Sequence, residues 1–322
     1  MITENYLALI EAEIRLLQLG STPRSLYDPI RYIMSLGGKR LRPLLTMLGY
    51  SLYKTDVEKI VRYAVAVEAF HNFTLMHDDI MDKAPLRRGK ATVHEKWNTN
   101  TAILSGDVML VKVYDVFRDL DGNKLLEVLS LFNACAAGVC EGQQSDMEFE
   151  TKPKVTEAQY LEMIRLKTAV LLGFSLELGA VLASAPAADQ QMLRTAGINL
   201  GIGFQLKDDL LDVFADQKKF GKQVGGDIIA NKKTYLMIKA LERSKGKDLA
   251  ALKKWISAKK FDPRKKIAAV KTIYNNIGIR ELTEEKIKSF FDKGFQELNQ
   301  LSVKNKTGDL IRYARELVDR QK

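Results

Sequence analysis

Two acidic pentapeptides carry the clearest chemistry in this chain: DDIMD at Asp78–Asp82 and DDLLD at Asp208–Asp212. In an α-helix, residues four apart share a face, so each copy would place its first and last carboxylates side by side. Two such helices facing each other would form an acidic cleft, in which cations must relieve the repulsion. Mg²⁺ is the cation that carboxylate and phosphate oxygens share most readily. The paired motifs therefore predict a Mg²⁺ site that takes a phosphate-containing ligand.

Chance placement on solvated helix faces is the alternative explanation of the two copies. The chain has 21 Asp among 322 residues, so chance gives about 0.09 copies of the DDxxD pattern per chain. Two copies in one chain make coincidence a poor account.

The elements that must position these motifs are predicted to be helices. Only 7 prolines occur, and the proline-free runs 86–152 and 187–262 allow helices of five turns or more. Apolar residues recur three and four positions apart, as in the pairs Leu161 with Ile164 and Leu172 with Leu176, rather than alternating. No stretch has the pattern of a strand with hairpin turns. The fold class is predicted to be all-α, with length for one large domain or two ordinary ones.

Composition excludes several other classes of protein. The N-terminus lacks a secretory pattern, and no segment approaches about 18 uninterrupted apolar residues, so we expect no transmembrane segment. Two cysteines, Cys135 and Cys140, fit buried, reduced packing residues of a cytoplasmic protein. With only three histidines besides (His71, His77 and His94), a Cys/His zinc site is nearly excluded.

The net charge of +10 is concentrated near the C-terminal third. Residues 242–271 hold eleven Lys or Arg against three Asp or Glu, a local excess of 11 − 3 = +8. A solvated helical hairpin around Pro263 is the favoured interpretation, and weak contact with an anionic membrane surface stays open. Because no aromatic stacking pattern or nucleic-acid motif accompanies the charge, we expect no nucleic-acid partner.

Cationic residues lie near the first acidic motif, as a phosphate ligand would require. Gly37 and Gly38 allow the backbone to approach a ligand, and Lys39 and Arg42 follow them at a predicted helix N-terminus. After the first motif comes a second basic run, which includes Arg87 and Arg88, whose guanidinium forks suit phosphate. A basic run of either kind, taken alone, is more often a surface turn.

Further polar residues interrupt otherwise apolar segments. His71 lies two helical turns before Asp78 on the same face. The other members are Lys167, Thr168, Gln205, Lys222 and Lys232. Each alone would be interpreted as a polar side chain whose head reaches solvent, but their arrangement around two Asp motifs favours a binding site.

Taken in order, these motifs resemble a known family. GGKRLRP, HNFTLMHDDIMD, RRGK, LKT, GFQLKDDLLD and GK–GGD–KKT have the order and spacing of the trans-isoprenyl diphosphate synthases, or polyprenyl synthetases. The resemblance is dense over residues 25 to 240. It implies one all-α domain spanning 1–322 around a deep central cavity, normally in a homodimer, and it implies a Mg²⁺-dependent condensation of isopentenyl diphosphate with an allylic diphosphate.

The resemblance also implies roles for individual residues. Asp78, Asp82 and Asp208 would hold three Mg²⁺ ions, with Asp79, Asp209 and Asp212 as further candidate ligands. The allylic diphosphate would bind Arg87, Lys167, Thr168, Gln205, Lys222 and Lys232. Isopentenyl diphosphate would bind Lys39, Arg42, His71 and Arg88. Gln143 and Asp146 match a further segment near the metals, whereas Asn231 stands where many members have Gly.

Three alternatives are weighed against this reaction. A terpene cyclase shares the fold but usually has an Asn/Ser/Glu second motif and needs no isopentenyl site. A non-catalytic synthase subunit typically loses one Asp motif, and here both are complete. A calcium-binding loop needs Asp at alternate positions with a central Gly, which DDIMD lacks.

Product length depends on what stops the growing tail beneath Asp78. Thr74 lies four residues before Asp78 and Phe73 lies five before, and helix geometry leaves both candidates open. The family resemblance favours Phe73, because a large residue at the fifth position acts as a floor in short-chain members. We therefore expect an all-trans product of fifteen or twenty carbons, with twenty favoured, and Phe70 as a deeper alternative stop.

Overall fold

The computed structural model describes residues 2–17, 19–215 and 225–319. Helices account for nearly all secondary structure in these ranges, so the all-α prediction is confirmed. One exception was not anticipated: a two-residue antiparallel strand pair, β1 (Leu86–Arg87) and β2 (Lys90–Ala91), follows the first acidic motif. The chain divides into two compact units, each described separately below.

The first unit comprises Met1–Ala134, Phe174–Arg194 and Leu301–Leu310. Its complete helices are α1 (Ile2–Leu16), α2 (Arg24–Ser35), α3 (Leu41–Ser51), α4 (Val61–Met81), α5 (Val93–Lys96) and α6 (Thr99–Phe117), with short 3₁₀ turns at Val57–Ile60 and Lys304–Lys306.

Helix α4, which carries the first acidic motif, is the buried centre of this unit. It packs closely on α6. Gly106 of α6 lies so near the ring of His77 that a side chain at that position would collide with it. Below the motif lies a cluster of aromatic rings whose centroids are within 6 Å of a neighbour. Its members are Phe70, Phe73, Tyr114, Phe117, Phe132 and Phe174.

The second unit comprises Cys135–Gly173, Thr195–Gln300 and Ile311–Lys322. Its helices are α8 (Glu157–Ile164), α11 (Gly226–Ile229), α12 (Tyr235–Arg243), α13 (Gly246–Ser257), α14 (Pro263–Asn276) and α15 (Ile279–Gln300), with a π-helical turn at Arg165–Ala169. The unit boundaries fall within α7 (Gly122–Thr151), α9 (Val170–Leu182), α10 (Ala187–Phe214) and α16 (Gly308–Asp319).

The basic segment 242–271 forms the expected helical hairpin. Asp262 accepts hydrogen bonds from the backbone N–H groups of Arg264 and Lys265, at 2.8 and 3.2 Å, and so caps the start of α14. Pro263 occupies the first turn of that helix, where its missing N–H costs nothing. Most of the lysines of this hairpin are exposed, but Lys266 is buried.

The two cysteines are both free, but they differ in burial. Cys135 is buried as expected, whereas the prediction of a buried Cys140 is wrong, because Cys140 is exposed. The two lie five residues apart on α7, and at 3.6 residues per turn that spacing places them on different faces of the helix.

Helix α7 also bears on the expectation that no segment spans a membrane. Within the described residues, this one helix is long and apolar enough to cross a bilayer, with a window of mean hydropathy 1.4 that is 33% buried. The charged residues Glu127 and Glu141 interrupt the apolar sequence of this continuous helix. Length and composition alone do not distinguish a membrane span from a helix that packs against protein.

Candidate active site

The first acidic motif occupies the last turn of α4. The backbone N–H of Asp82 donates to the carbonyl of Asp78 at 2.9 Å, which places the first and last residues of the motif on one helical face. The carboxylate of Asp78 is half-buried and that of Asp82 is exposed. Asp79 differs from both, since it is only 2% exposed and points to a protein partner.

That partner is Arg87, presented by the short hairpin. Arg88 and Gly89 have φ values of 53° and 75°, as both central residues of a type I′ turn require. Two nitrogens of the Arg87 guanidinium, Nε and Nη2, donate to the carboxylate of Asp79, with shortest distances of 2.8 and 2.7 Å. It also lies 3.6 Å from the carboxylate of Asp78. This fork holds Arg87 beside the acidic pair, while Arg88 donates to the carbonyl of Gly37.

The GGKRLRP segment depends on an arginine that sequence reasoning passed over. Arg40 adopts a left-handed conformation (φ 46°) immediately before α3, and its side chain is buried. Its guanidinium binds Glu11 at 2.7 Å, Glu68 at 3.0 Å and the carbonyl of Met34 at 2.9 Å. Removing either carboxylate would leave a buried charge partly uncompensated, which is strongly unfavourable. Arg40 therefore fixes the segment that precedes α3.

The basic neighbours of Arg40 at the start of α3 are more accessible to solvent than Arg40 itself. Lys39 is exposed, and Arg42 is half-buried in the first turn of the helix, as predicted. Free N–H groups at a helix N-terminus already favour an anion at this position.

His71 lies beside these cations. Burial of its ring, together with the positive charges of Arg42, Arg88 and Arg87, lowers the pKa of His71 well below its usual range. The imidazole is therefore neutral at physiological pH and can donate one hydrogen bond to an anion without adding charge. The structure thus brings His71 together with the arginines that sequence analysis grouped with it.

The second acidic motif lies near the end of α10, in the second unit. Asp208 and Asp212 are half-buried and four residues apart on the helix, whereas Asp209 is buried. Asp209 accepts a hydrogen bond from Gln205 at 3.0 Å and a short one from the hydroxyl of Tyr160. Burial raises the pKa of Asp209 to about 6 despite these bonds. The middle carboxylate of each motif is thus engaged by the protein.

A π-helical turn presents Lys167 and Thr168. Such turns are rare and frequently mark functional sites. Two glycines let neighbouring helices approach this turn: a side chain on Gly142 would collide with the backbone of Lys167, and one on Gly201 would lie 2.7 Å from the backbone of Ala169. Thr168 donates to Gln205 at 3.1 Å, which connects the turn with α10.

Lys167 and Lys232 meet at one carboxylate oxygen of Asp146. The distances from this oxygen to the two ammonium nitrogens are 2.7 Å for Lys167 and 3.6 Å for Lys232. Burial alone would raise the pKa of Asp146, but the two lysines outweigh it and lower the pKa below its usual value. Nearby, Nε2 of Gln143 is buried and has no hydrogen-bond partner among the described residues.

Asp227 is a residue of this site that sequence analysis did not single out, although it belongs to the GGD segment. Its backbone N–H donates to the carboxylate of Asp212 at 3.0 Å. Burial, reinforced by the charges of Asp209 and Asp212, raises the pKa of Asp227 to about 7. A further acidic residue therefore adjoins the three of the second motif. Lys222 lies outside the described residues.

The two floor candidates differ in environment. Phe73 is 8% exposed and packs edge-on against His77, with ring centroids 4.8 Å apart. Its other ring neighbour is Phe70, at 5.6 Å. Thr74 is half-buried, and its hydroxyl donates back to the carbonyl of His71 at 2.8 Å. Bulk beneath the first motif therefore comes from Phe73 rather than Thr74.

Comparison with known proteins identifies the family. The polyprenyl synthetase family model matches residues 23–277, which include both acidic motifs. The chain belongs to the polyprenyl synthetase family.

Individual polyprenyl synthetases are similar over most of the chain. A short chain isoprenyl diphosphate synthase of Methanocaldococcus jannaschii is 45% identical over 67% of this chain and 66% of the relative. A geranylgeranyl diphosphate synthase of Sulfolobus acidocaldarius is 35% identical over 94% of this chain and 92% of the relative. The crystal structure of a geranylgeranyl pyrophosphate synthase superposes with a TM-score of 0.94, at 41% identity over 99% of each chain.

These matches confirm the predicted family, fold class and enzyme class. The chain is a trans-prenyltransferase with the all-α fold of the polyprenyl synthetases, and a short-chain isoprenoid product is supported. Enzymes of this family generally use Mg²⁺.

Proposed function

We propose that the two Asp motifs and the cations around them activate an allylic diphosphate, while Lys39, Arg42, His71 and Arg88 bind isopentenyl diphosphate. The observation that carries this proposal is the division of roles within each motif. The middle carboxylate is buried against a protein donor, and the first and last share a helical face at lower burial. Carboxylates in that arrangement suit a shared cation better than a structural ion pair.

Mg²⁺ fits this donor set. Hard carboxylate oxygens are its preferred protein ligands, and it commonly keeps several waters or substrate oxygens. Among the described residues, no three His, Cys, Asp or Glu side chains converge on one point. We therefore expect each ion to be held by one or two carboxylates and completed by the diphosphate, with three ions in total. Asp78, Asp82, Asp208 and Asp212 would hold them, and bound Mg²⁺ would supply charge stabilisation for the departing diphosphate.

The middle carboxylates have a different proposed role. Asp79 accepts hydrogen bonds from two guanidinium nitrogens of Arg87, and Asp209 accepts from Tyr160 and Gln205. We therefore interpret Asp79 and Asp209 as residues that orient their neighbours, and this revises the sequence-based expectation that they are direct metal ligands.

The chain's own cations would bind the allylic diphosphate. Arg87 stands beside the first motif, and Lys167 and Lys232 converge on Asp146. Thr168 and Gln205 add polar groups beside the second motif, and Lys222 keeps the role implied by the family. Bound in this way, the departing diphosphate would have positive charge on several sides as its own negative charge develops.

The reaction would then proceed by loss of the diphosphate leaving group and capture of the resulting allylic cation. The C–O bond of the allylic diphosphate breaks, and both electrons leave with the diphosphate. The alkene of isopentenyl diphosphate, held close by its own site, supplies the electron pair for the new C–C bond. The resulting cation loses a proton, for which the released diphosphate is the base. Apolar helix surfaces must exclude water, which would otherwise capture the cation.

The aromatic cluster of the first unit supports a product of about twenty carbons. Phe73 narrows the space beneath the first motif, while the adjacent Thr74 leaves it less restricted than a second aromatic would. Phe70 and Phe132, whose rings lie 5.0 Å apart, form a further apolar layer below Phe73.

We also propose that residues 1–322 act as one catalytic domain in a cytoplasmic homodimer. The family match runs through segments of both units, and both cysteines are free. Helix α6 exposes apolar side chains at helical spacing: Leu104 and Val111 are each 58% exposed, and Tyr114 is 37% exposed. A second copy would cover this face. Val111→Glu would place a charge in this interface, so the variant should be a monomer. Light scattering, which measures the molar mass in solution, tests the proposed dimer.

Diphosphate release tests the proposed function. The chain should release diphosphate only when Mg²⁺, isopentenyl diphosphate and an allylic diphosphate are all present, and a chelator should abolish release. Chromatography of the dephosphorylated products should show an all-trans linear alcohol. A cyclic hydrocarbon formed from the allylic substrate alone would instead indicate a terpene cyclase.

A further inference from the structure

Lys232 lies at the centre of the five-residue connection (residues 230–234) between α11 and α12. The residues on either side of it, Asn231 and Lys233, are fixed to different helices, whereas Lys232 is exposed and directed to Asp146 at 3.6 Å. The backbone N–H of Lys232 donates to the carbonyl of Asp227 at 2.9 Å. The segment therefore holds its central lysine from both sides.

Asn231 makes the first of these attachments. Its backbone has φ 54°, a left-handed conformation that Asn, Asp and Gly tolerate better than other residues. Gly would accept the same backbone conformation. Asn231 adds what Gly lacks, because its amide nitrogen donates to the carbonyl of Ile256 at 3.1 Å and its amide oxygen accepts from Lys266 at 2.7 Å.

Lys266 is an unusual partner for this amide, since it is 0% exposed. Its ammonium donates to the carbonyl of Ile229 at 3.2 Å and lies over the ring of Phe261, 4.2 Å from the centroid. No acidic side chain in the described part of the chain lies within ion-pair distance of Lys266. A buried ammonium is costly unless its hydrogen bonds are well made. An apolar side chain would fill this site without the desolvation penalty of a buried ammonium. We therefore interpret the hydrogen bonds of Lys266 as the reason for a lysine at this position.

Lys233 makes the attachment on the other side. Its ammonium donates to the carbonyls of Phe149 and Glu150, the latter at 3.0 Å, in the last turn of α7. A cation suits the unsatisfied carbonyls and negative dipole end of a helix C-terminus. This attachment lies on the same helix as Asp146, the carboxylate that Lys232 faces.

We propose that Asn231 and Lys266 are positioning residues that fix Lys232 for the diphosphate of the allylic substrate. This inference rests on the role proposed for Lys232 above. A lysine side chain has several rotatable bonds, and holding its backbone in place reduces the freedom that must be lost when the diphosphate binds. The clamp formed by Asn231 and Lys266 would therefore contribute to affinity without touching the substrate.

Asn231→Gly tests the clamp, because Gly accepts the same backbone conformation and removes only the side-chain hydrogen bonds. We expect KM for the allylic diphosphate to rise roughly three- to tenfold. This is about the net worth of one of the two hydrogen bonds lost, because the clamp acts on the substrate only through Lys232. KM for isopentenyl diphosphate should stay unchanged. Asn231→Asp keeps the left-handed tolerance and the oxygen that accepts from Lys266, so it should restore most of the affinity. Asn276→Gly, the same change at an exposed position at the end of α14, is the matched control.

Combination with Lys232→Met separates this inference from the proposed function. If the clamp acts through Lys232, Asn231→Gly should have little further effect on KM in the Lys232→Met background. An unchanged allylic KM in Asn231→Gly, or effects that multiply in the double variant, would overturn the clamp while leaving the role of Lys232 intact. An unchanged allylic KM in Lys232→Met would instead overturn the role of Lys232, and the clamp with it.

Discussion

Phe73→Ala should lengthen the product by about one isoprene unit. Phe70 lies three residues deeper on α4, about 4.5 Å of helix rise below Phe73. One isoprene unit adds four chain bonds of about 1.5 Å, or about 5 Å along an extended chain. Removing the upper ring therefore opens space for one further unit before the tail meets Phe70 and Phe132, whose ring centroids are 5.0 Å apart.

The assay incubates the variant with excess isopentenyl diphosphate and compares the chain length of dephosphorylated products with those of the parent. Loss of a buried phenylalanine should also cost about 3–5 kcal/mol of stability. Phe291→Ala is the matched control, because Phe291 is 1% exposed in the core of the second unit. It should cost similar stability without changing the product.

An unchanged product distribution in active Phe73→Ala would refute this reasoning and place the stop elsewhere. Phe70→Ala, tested in parallel, would then show whether the deeper ring sets the length. A Phe291→Ala variant that lengthened the product as much as Phe73→Ala would show that loosening of the fold, rather than removal of the floor, controls chain length.

Two further predictions concern substrate selectivity and pH. Lys39→Ala should raise KM for isopentenyl diphosphate more than that for the allylic substrate, and equal effects in steady-state kinetics would contradict two separate sites. Glu177 lies 3.8 Å from Arg194, and burial raises its pKa from 4.5 to about 7. Because the folded state holds this proton more tightly than the unfolded chain, stability should fall as pH rises from about 4.5 towards 7. In Glu177→Gln, the decrease in the free energy of unfolding between pH 5 and pH 8 should be smaller than in the parent by up to about 3 kcal/mol. Urea unfolding of both proteins at the two pH values measures this decrease. An equal decrease in variant and parent would contradict the prediction.

The sequence was sufficient to predict the helices and to identify the residues of the motifs, because both depend on local patterns. The spacing of Asp78 and Asp82 already implied one helical face, and the long proline-free runs implied helices. The order of the motifs identified the family, which no single basic run could do. These features were available because each is written in residues close together along the chain.

Other features depend on contacts between distant residues, which local patterns do not encode. The π-helical turn at Arg165–Ala169 requires the close approach of Gly142 from another helix. The burial of Arg40 depends on Glu11 and Glu68, which lie 29 and 28 residues away. Basic runs indicate charge but do not tell which member faces solvent, so Arg40 could not be separated from Lys39.

Asp227 and Asn231 were both visible in motifs, yet their roles were not. A GGD segment gives no sign that its Asp adjoins the carboxylate of Asp212, at the end of a different helix. Likewise, the left-handed backbone of Asn231 was unknown until the structure showed φ 54°. Lys266 belongs to a basic run whose other members are mostly exposed, so its burial could not be inferred from charge.

The most direct test of the central claim is diphosphate release by Asp78→Ala and Asp208→Ala at saturating Mg²⁺. Each change removes one proposed metal ligand from a different acidic motif, and turnover should fall about a hundredfold or more, since groups that stabilise a leaving charge typically contribute that much. Thermal unfolding of both variants should remain close to that of the parent. Turnover near the parent's in either correctly folded variant would contradict the assignment of the two Asp motifs to the metal and diphosphate.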